Sequence, residues 1–129
     1  MSKDVIRTES APAPFGGAPY SQAVAANGFV FVSGQLALRP GEGALVEGGI
    51  SAQTEQVFAN LRAILEAAGS SLESLVKTTV FLQSLDDFAA MNEVYARHVG
   101  DRPPARSTFE VAKLPSGALI EVEAVAVVE

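Results

Sequence analysis

The chain has 129 residues, a formal net charge of −6, 48% hydrophobic residues and no cysteine. This length suits a single domain over residues 1–129, long enough to bury a core. The absence of cysteine excludes disulfides, thiol nucleophiles and cysteine-ligated metals. Because the nine Lys and Arg residues are scattered along the chain, a nucleic-acid partner is not expected.

The first residues, Met1 to Arg7, are polar and lack the apolar run of a secretory signal. No stretch approaches the roughly 20 apolar residues that a membrane-spanning helix needs. These features predict a cytoplasmic protein without a membrane partner. The hydrophobic fraction is high for an acidic chain of this length, which indicates more buried surface than one small domain requires. We therefore expect a homo-oligomer.

Strand patterns recur along the chain, with β-branched and aromatic residues set between turn residues. They predict six strands, near residues 5–8, 20–24, 29–33, 76–82, 106–111 and 119–128. A loop rich in Pro and Gly over residues 10–19 separates the first two strands. Asn27-Gly28 is a strong hairpin signal that joins the second strand to the third. Gly34 follows directly, and its missing side chain would let a ligand approach the backbone.

Two amphipathic helices are predicted between the strands. The first runs from a Ser51 cap to about Ala68 and stops at Gly69, after a Gly-rich loop over residues 39–49. The second begins over residues 84–87. In both helices the apolar residues follow helical spacing and form one stripe. The two stripes are Val57, Leu61, Ile64, Leu65 and Ala68, and Phe88, Met91, Val94, Tyr95 and Val99.

The last predicted strand is apolar on both faces. One face carries Ile120, Val122, Ala124 and Ala126, and the other carries Leu119, Val125 and Val127 with Glu121 and Glu123. A strand of this kind is covered on both sides. Two helices packed on one face of a mixed sheet cover only one of the two faces of this strand. A second subunit is the simplest cover for the other face, which places Arg106 and Glu121 near a subunit interface.

The strand that contains Arg106 follows two prolines, which favour an extended backbone. Alternation places Arg106, Thr108 and Glu110 on one face of this strand. It places Ser107, Phe109 and Val111 on the other face. Spacing alone leaves two roles for Arg106. It either forms a structural ion pair with Glu121 or Glu123, or grips the carboxylate of a ligand with paired N–H donors. From spacing alone, the ion pair is the more common arrangement.

Five segments form a set in a specific order along the chain. They are Pro19-Tyr20-Ser21-Gln22-Ala23, then Ser33-Gly34-Gln35, then Val76-Lys77-Thr78-Thr79-Val80-Phe81-Leu82, then Asp87-Phe88 with Asn92 and Tyr95, and finally Pro104-Ala105-Arg106-Ser107 through Leu114-Pro115 to residues 120–124. Together they resemble the RidA (YjgF) family over nearly the whole chain. The resemblance implies a chorismate-mutase-like (ferredoxin-like) α+β domain with a mixed sheet and two helices on one face. It further implies a homotrimer with its sites in the clefts between subunits.

The resemblance also implies an activity. The family hydrolyses reactive 2-imino and 2-enamino acids, such as 2-iminobutanoate and 2-iminopropanoate, to 2-oxo acids and ammonia, without a metal or an organic cofactor. Relatives suggest three alternatives: a deaminase for another imine or enamine of the aminoacrylate or aminomuconate type, an endoribonuclease or translation inhibitor, and a non-catalytic trimer that binds metabolites or acts as a chaperone. The acidic charge balance disfavours RNA as the main substrate.

Site residues follow from the same resemblance. Arg106 matches the family's carboxylate-binding arginine, and Glu121 matches the acid that orients or activates water. Tyr20 matches a site tyrosine whose hydroxyl would hydrogen-bond substrate or water. Ser33 and Gly34 match the segment that lines the pocket, and Asn92 matches a residue at its edge. The main chain around Thr108 matches a segment that supplies hydrogen bonds, and Thr108 stands where some members carry cysteine.

Other chemistry-bearing residues are interpreted as structural. His98 is the only histidine and lies near a helix C-terminus, where positive charge is favourable, and a lone histidine without cysteine does not indicate zinc. Asp86 and Asp87 resemble a catalytic pair, but a helix N-terminus favours acidic residues in any case. The glycines over residues 41–49 lack the pattern of a phosphate-binding loop and indicate a flexible connection.

Overall fold

Residues 2–129, the part of the chain that the computed structural model describes, form a six-stranded mixed sheet with two helices on one face. The elements are β1 Asp4–Ile6, β2 Ala23–Ala26, β3 Phe29–Gln35, α1 Gly49–Ala67, β4 Leu75–Leu82, α2 Phe88–Val99, β5 Ala105–Glu110 and β6 Ile120–Val127. Across the sheet the strands follow the order β1-β2-β3-β6-β4-β5. β5 runs parallel to β4, and the other neighbours are antiparallel. The predicted α+β architecture is confirmed.

The β2–β3 hairpin forms where the sequence predicts it. Asn27 and Gly28 have φ angles of 54° and 83°. Two consecutive positive φ values are what a type I′ turn needs, and its twist matches that of the flanking strands. Ala26 therefore pairs directly with Phe29. This register puts Val30 and Val32 in the core, while Phe29 and Phe31 point to the opposite face.

Gln22 organises the Pro- and Gly-rich loop and shortens β2. Its side chain is buried, and Nε2 donates to the carbonyl oxygens of Ala11 and Pro12 at 3.2 and 2.8 Å. Because this amide turns into the loop, β2 begins at Ala23, and the predicted start at Tyr20 is wrong. Tyr20 consequently belongs to the loop rather than to the strand.

α1 begins earlier than predicted and ends as predicted. Its N-cap is Gly48, with φ 113°, and Ser51 lies inside the helix, so the predicted serine cap is wrong. At the other end Gly69 has φ 80°, and the N–H of Ser70 donates to the carbonyl of Leu65 at 2.8 Å. This is the 6→1 bond of a Schellman motif. Among residues 2–129, neither helix combines the length and hydropathy that crossing a bilayer requires.

The core lies between the helices and one face of the sheet. The predicted stripes are buried except at Ala68, which is half-buried, and Phe88, which is 40% exposed. Phe88 is the first residue of α2, after the turn that the Ser84 hydroxyl caps, so its ring lies outside the core. The largest buried side chains come from both layers: Phe58, Leu61, Ile64, Leu65, Leu82, Met91 and Ile120.

No element among residues 2–129 covers the other face of the sheet. Phe31 and Phe109 are 49% and 52% exposed there, and Val125 and Val127 are half-buried. The β6 side chains on the helix-covered face are buried, as the alternation of apolar residues along this strand predicts. An apolar sheet face of this kind is typical of an interaction surface.

Candidate functional site

A cleft of about 530 Å³ opens where β3 leaves its regular pairing with β6. Val32 pairs with Ala124, and pairing resumes with Gln35 opposite Val122, so β3 carries one extra residue. Such a β-bulge bends the strand and redirects its side chains. Four of the predicted site residues line the cleft: Tyr20, Ser33, Gly34 and Glu121.

The side chain of Glu121 occupies the space that Gly34 leaves open. A Cβ atom added to Gly34 would lie 2.9 Å from Cδ of Glu121 and still closer to its carboxylate oxygen. Any larger residue at position 34 would therefore displace the carboxylate. The sequence predicted that this gap admits a ligand, and in the protomer it admits a carboxylate of the chain itself.

Its surroundings make Glu121 easier to protonate than an ordinary glutamate. Partial burial raises its pKa, and the nearby Glu123 carboxylate raises the pKa further by charge repulsion. Within residues 2–129 no Lys or Arg forms an ion pair with Glu121. A carboxylate of raised pKa in a cleft is suited to accept a proton as a general base.

Tyr20 and Ser33 present complementary hydrogen-bonding groups beside this carboxylate. The N–H of Phe15 donates to the Tyr20 hydroxyl at 2.7 Å, so this hydroxyl keeps its own proton for donation. The Ser33 hydroxyl instead donates to the Ser21 carbonyl at 2.6 Å, which leaves its lone pairs as acceptors. The cleft thus contains a hydrogen-bond donor, a hydrogen-bond acceptor and a carboxyl group of raised pKa.

Arg106 lies elsewhere, on the helix-covered side of the edge strand β5. It pairs in the sheet with Thr78, which is buried and shares a hydrogen bond of 2.6 Å with the Tyr95 hydroxyl of α2. Cζ of Arg106 is 4.6 Å from the ring centroid of Tyr95 and 5.6 Å from that of Phe88. The guanidinium therefore lies against two aromatic rings.

One protomer holds Arg106 and Glu121 on opposite faces of the sheet. Glu121 pairs with Phe81 of β4, three residues beyond Thr78, the partner of Arg106. An odd separation along a strand reverses the direction of the side chain. Within residues 2–129 no carboxylate oxygen lies within 4.0 Å of the Arg106 guanidinium. The ion pair with Glu121 or Glu123, one of the two roles that spacing left open, is not formed within the chain.

Asn92 and Thr108 belong with Arg106 rather than with the cleft. Thr108 follows Arg106 by two residues on β5 and shares its face, and Asn92 lies one turn after Phe88 on α2. The seven predicted site residues thus form two groups. The cleft group is Tyr20, Ser33, Gly34 and Glu121, and the edge group is Asn92, Arg106 and Thr108.

Sequence reasoning missed residues that contact Arg106 or support the cleft wall. It assigned Tyr95 and Phe88 to a helical stripe, whereas both contact Arg106. It did not single out Asn60, which is fully buried on α1 and donates to the carbonyls of Leu36 and Leu38 in the cleft wall at 3.1 and 3.0 Å. An asparagine within an apolar helical stripe was the available signal, because a buried amide must find hydrogen-bond partners.

His98 has the structural role that the sequence predicts. Its ring stacks on Phe58 with centroids 4.8 Å apart, and Nε2 contacts the carboxylate of Glu55 on α1. This hydrogen bond holds the pKa of Glu55 below its usual value. Arg97 also contacts Glu55 at 3.2 Å, so the two residues tie α2 to α1. Among residues 2–129, no three Asp, Glu or His side chains gather as metal ligands.

Comparison with known proteins identifies the family. The family model described as Endoribonuclease L-PSP matches residues 8–128. A RutC family protein of Pyrococcus horikoshii is 52% identical over 124 residues, which are 96% of this chain and 97% of the relative. Human 2-iminobutanoate/2-iminopropanoate deaminase is 43% identical over 127 residues, 98% of this chain and 91% of the relative. The crystal structure of E. coli TdcF with bound serine matches with a TM-score of 0.89 at 38% identity, covering 98% and 99% of the two chains. The chain therefore belongs to the Endoribonuclease L-PSP family, which is the YjgF/RidA family that its sequence resembles.

Proposed function

We propose that the protein is a hydrolytic deaminase of reactive 2-imino and 2-enamino acids, with 2-iminobutanoate and 2-iminopropanoate as substrates. The observation that carries the proposal is the Glu121 carboxyl, whose pKa is raised in a cleft that also holds the Tyr20 hydroxyl. Arg106 supports it, because its guanidinium has no carboxylate partner within residues 2–129. The name of the human relative supports the choice of substrate.

The proposed mechanism uses the two groups for different tasks. Arg106 binds the substrate carboxylate through paired N–H donors and sets the plane of the imine. A water oxygen bonds to the imine carbon while Glu121 takes a proton from that water. The electron pair of the C=N bond moves to nitrogen, which takes this proton from the Glu121 carboxyl and leaves Glu121 ionised again. Glu121 then removes the proton of the new hydroxyl, the C=O bond forms, and the C–N bond breaks. Nitrogen takes up this proton and leaves as ammonia, so the products are the 2-oxo acid and ammonia.

The separation of the two groups requires a second copy of the chain. In a protomer the cleft group and the edge group lie on opposite faces of the sheet. We infer a homotrimer in which the uncovered apolar face, with Phe31 and Phe109, packs against a neighbour. Each site would then combine the cleft group of one subunit with the edge group of the next.

The test follows 2-oxobutanoate formation from freshly generated 2-iminobutanoate, with and without the protein. We expect the wild type to accelerate hydrolysis, and Arg106→Ala to lower kcat/KM by about a hundredfold because a charged, bidentate contact is lost. Arg106→Lys should recover only part of the activity, since a lysine cannot bind a carboxylate in a fixed plane.

Arg102→Ala is the matched control, because Arg102 is an exposed arginine in the preceding loop. Light scattering should show the same oligomer for every variant. A well-folded wild-type oligomer without any effect on 2-iminobutanoate or 2-iminopropanoate decay would refute the proposed substrates.

A further inference from the structure

Two aromatic rings form a cradle around the Arg106 guanidinium. Cζ lies 4.6 Å from the ring centroid of Tyr95 and 5.6 Å from that of Phe88. Both distances are within the range of about 6 Å over which a ring attracts a cation. Tyr95 is 5% exposed, and Phe88 is 40% exposed. The cradle therefore has one buried wall and one open wall.

The buried wall is held from two sides. The Tyr95 hydroxyl shares a 2.6 Å hydrogen bond with Oγ1 of Thr78. Its ring meets the fully buried Phe58 edge to face, with centroids 5.3 Å apart and an interplanar angle of 85°. Thr78 is also the residue that pairs with Arg106 across β4 and β5. The ring and the arginine are thus anchored at neighbouring positions of one sheet.

An aromatic ring orients an arginine in a different way from a carboxylate. A carboxylate would occupy the N–H donors and neutralise the charge, whereas a ring attracts the cation through its face and leaves the donors at the edge of the guanidinium free. Within residues 2–129 no carboxylate pairs with Arg106. The observed contacts therefore place the guanidinium against the rings and leave its hydrogen-bonding capacity for another group.

We propose that Tyr95, with Phe88 as the second wall, is a positioning residue that holds the Arg106 guanidinium in the plane that receives a ligand carboxylate. Tyr95 acts through Arg106, because its hydroxyl is engaged by Thr78 and its ring by Arg106 and Phe58. The inference rests on the proposed function in one respect: it takes Arg106 as the group that binds the carboxylate.

The experiment compares Tyr95→Leu, which removes the ring, with Tyr95→Phe, which keeps the ring and loses the bond to Thr78. Val99→Ala is the control, because it opens space in the same core at the far end of α2 from Phe88. For each variant we would measure KM and kcat for 2-iminobutanoate, the Kd of 2-oxobutanoate, the Tm, and the ¹⁵Nε relaxation of Arg106 by NMR.

We expect Tyr95→Leu to raise KM and the Kd of 2-oxobutanoate about tenfold with a smaller change in kcat, and to increase the motion of the Arg106 Nε–H bond. Tyr95→Phe should stay within about threefold of the wild type, since the face of the ring remains. Val99→Ala should lower Tm and leave the Kd and the Nε relaxation unchanged.

Two results would overturn the proposal. Equal losses in Tyr95→Phe and Tyr95→Leu would assign the effect to the hydroxyl, and unchanged Nε relaxation in Tyr95→Leu would show that the ring does not restrict Arg106. If Tyr95→Leu does not fold, Phe88→Leu at the exposed wall serves instead. We then expect a smaller increase in the motion of the Arg106 Nε–H bond. The absence of any increase would contradict the cradle. The NMR measurement is made without ligand, so it decides the positioning role even if the wild type hydrolyses no imine.

Discussion

The position of Glu121 depends on Gly34, and its protonation depends on burial and on Glu123. Gly34 gives its carboxylate room beside the backbone, and Glu123 adds a like charge that raises its pKa on top of the effect of burial. A raised pKa favours uptake of a proton from water, but it also means that the ionised form is less well accommodated by the folded protein than by the unfolded chain. The same carboxyl is therefore suited to catalysis and unfavourable for stability.

Replacing Glu121 by Gln should separate these two effects. A carboxyl whose folded pKa lies above its unfolded value stabilises the fold most below the unfolded pKa, and this stabilisation is lost as the pH rises through the folded pKa. We therefore expect Glu121→Gln to have a higher Tm than the wild type at pH 7, and the difference to vanish below the ordinary glutamate value of 4.5. Thermal unfolding of the wild type and of Glu121→Gln, at pH 7 and at a pH below 4.5, measures this difference in Tm.

Activity gives the second arm of that experiment. Glu121→Gln should lower kcat about a hundredfold or more while leaving the Kd of 2-oxobutanoate nearly unchanged, because a general base acts on water rather than on the carboxylate of the ligand. Equal losses of turnover and of ligand binding would instead indicate that Glu121 is a structural residue.

At the scale of elements, the bulge in β3 connects the sheet to the site. The extra residue at Ser33-Gly34 interrupts the ladder with β6 and opens the cleft beside Glu121. Asn60 of α1 then holds the cleft wall by donating to two of its carbonyl groups. A helix and a strand irregularity therefore define the cleft together.

Gly34→Ala tests this arrangement. The added methyl group would meet the Glu121 side chain at 2.9 Å or less, so the carboxylate must move. We expect reduced kcat and a loss of about 1 kcal/mol or less in unfolding free energy, the low end of the range for overpacking, because the atoms that must move are the end of a flexible side chain. Chemical denaturation and steady-state kinetics provide the two readouts.

The double-mutant cycle identifies the cause. In the Glu121→Ala background the side chain that the methyl group meets is absent, so Gly34→Ala should there cost little unfolding free energy. A loss of the same size in both backgrounds would mean that contact with Glu121 is not the reason that position 34 needs glycine.

At the scale of the whole molecule, the protomer is divided by its sheet. One face carries the helices, the core and the edge group, and the other is apolar and exposes Phe31 and Phe109. An exposed face of this kind in a chain with net charge −6 favours association through apolar contact rather than through charge. The separation of the two groups and the uncovered face are both consistent with the proposed homotrimer.

Mixing two inactive variants tests the shared site. Arg106→Ala keeps an intact cleft group, and Glu121→Gln keeps an intact edge group. If each site takes one group from each of two neighbours, subunits exchanged at a 1:1 ratio should regain about a quarter of the wild-type activity, because one random pairing in four combines two intact groups. A mixture of the two variants without subunit exchange is the control. No recovery in verified mixed oligomers would place both groups of a site within one subunit.

The elements and the faces they bury could be predicted from the sequence alone. Strand alternation, the Asn27-Gly28 turn, the Gly69 stop and the two helical stripes are local patterns, and each depends on backbone preference or on periodic burial within a short segment. The ordered set of family segments determined the family as well. Element boundaries were predicted less well where a distant partner decides them, as Gln22 does by turning into the loop before β2.

The relative positions of the site residues depend on long-range packing and could not be predicted from local sequence patterns. Residues 106 and 121 are close in sequence, yet strand register directs their side chains to opposite faces and prevents the ion pair that their spacing allowed. The packing of Glu121 against Gly34 depends on a bulge, and the contact of Tyr95 with Arg106 depends on how α2 lies across β4 and β5. These contacts depend on strand register and on packing between distant segments. The periodicity of a single segment carries no information about either.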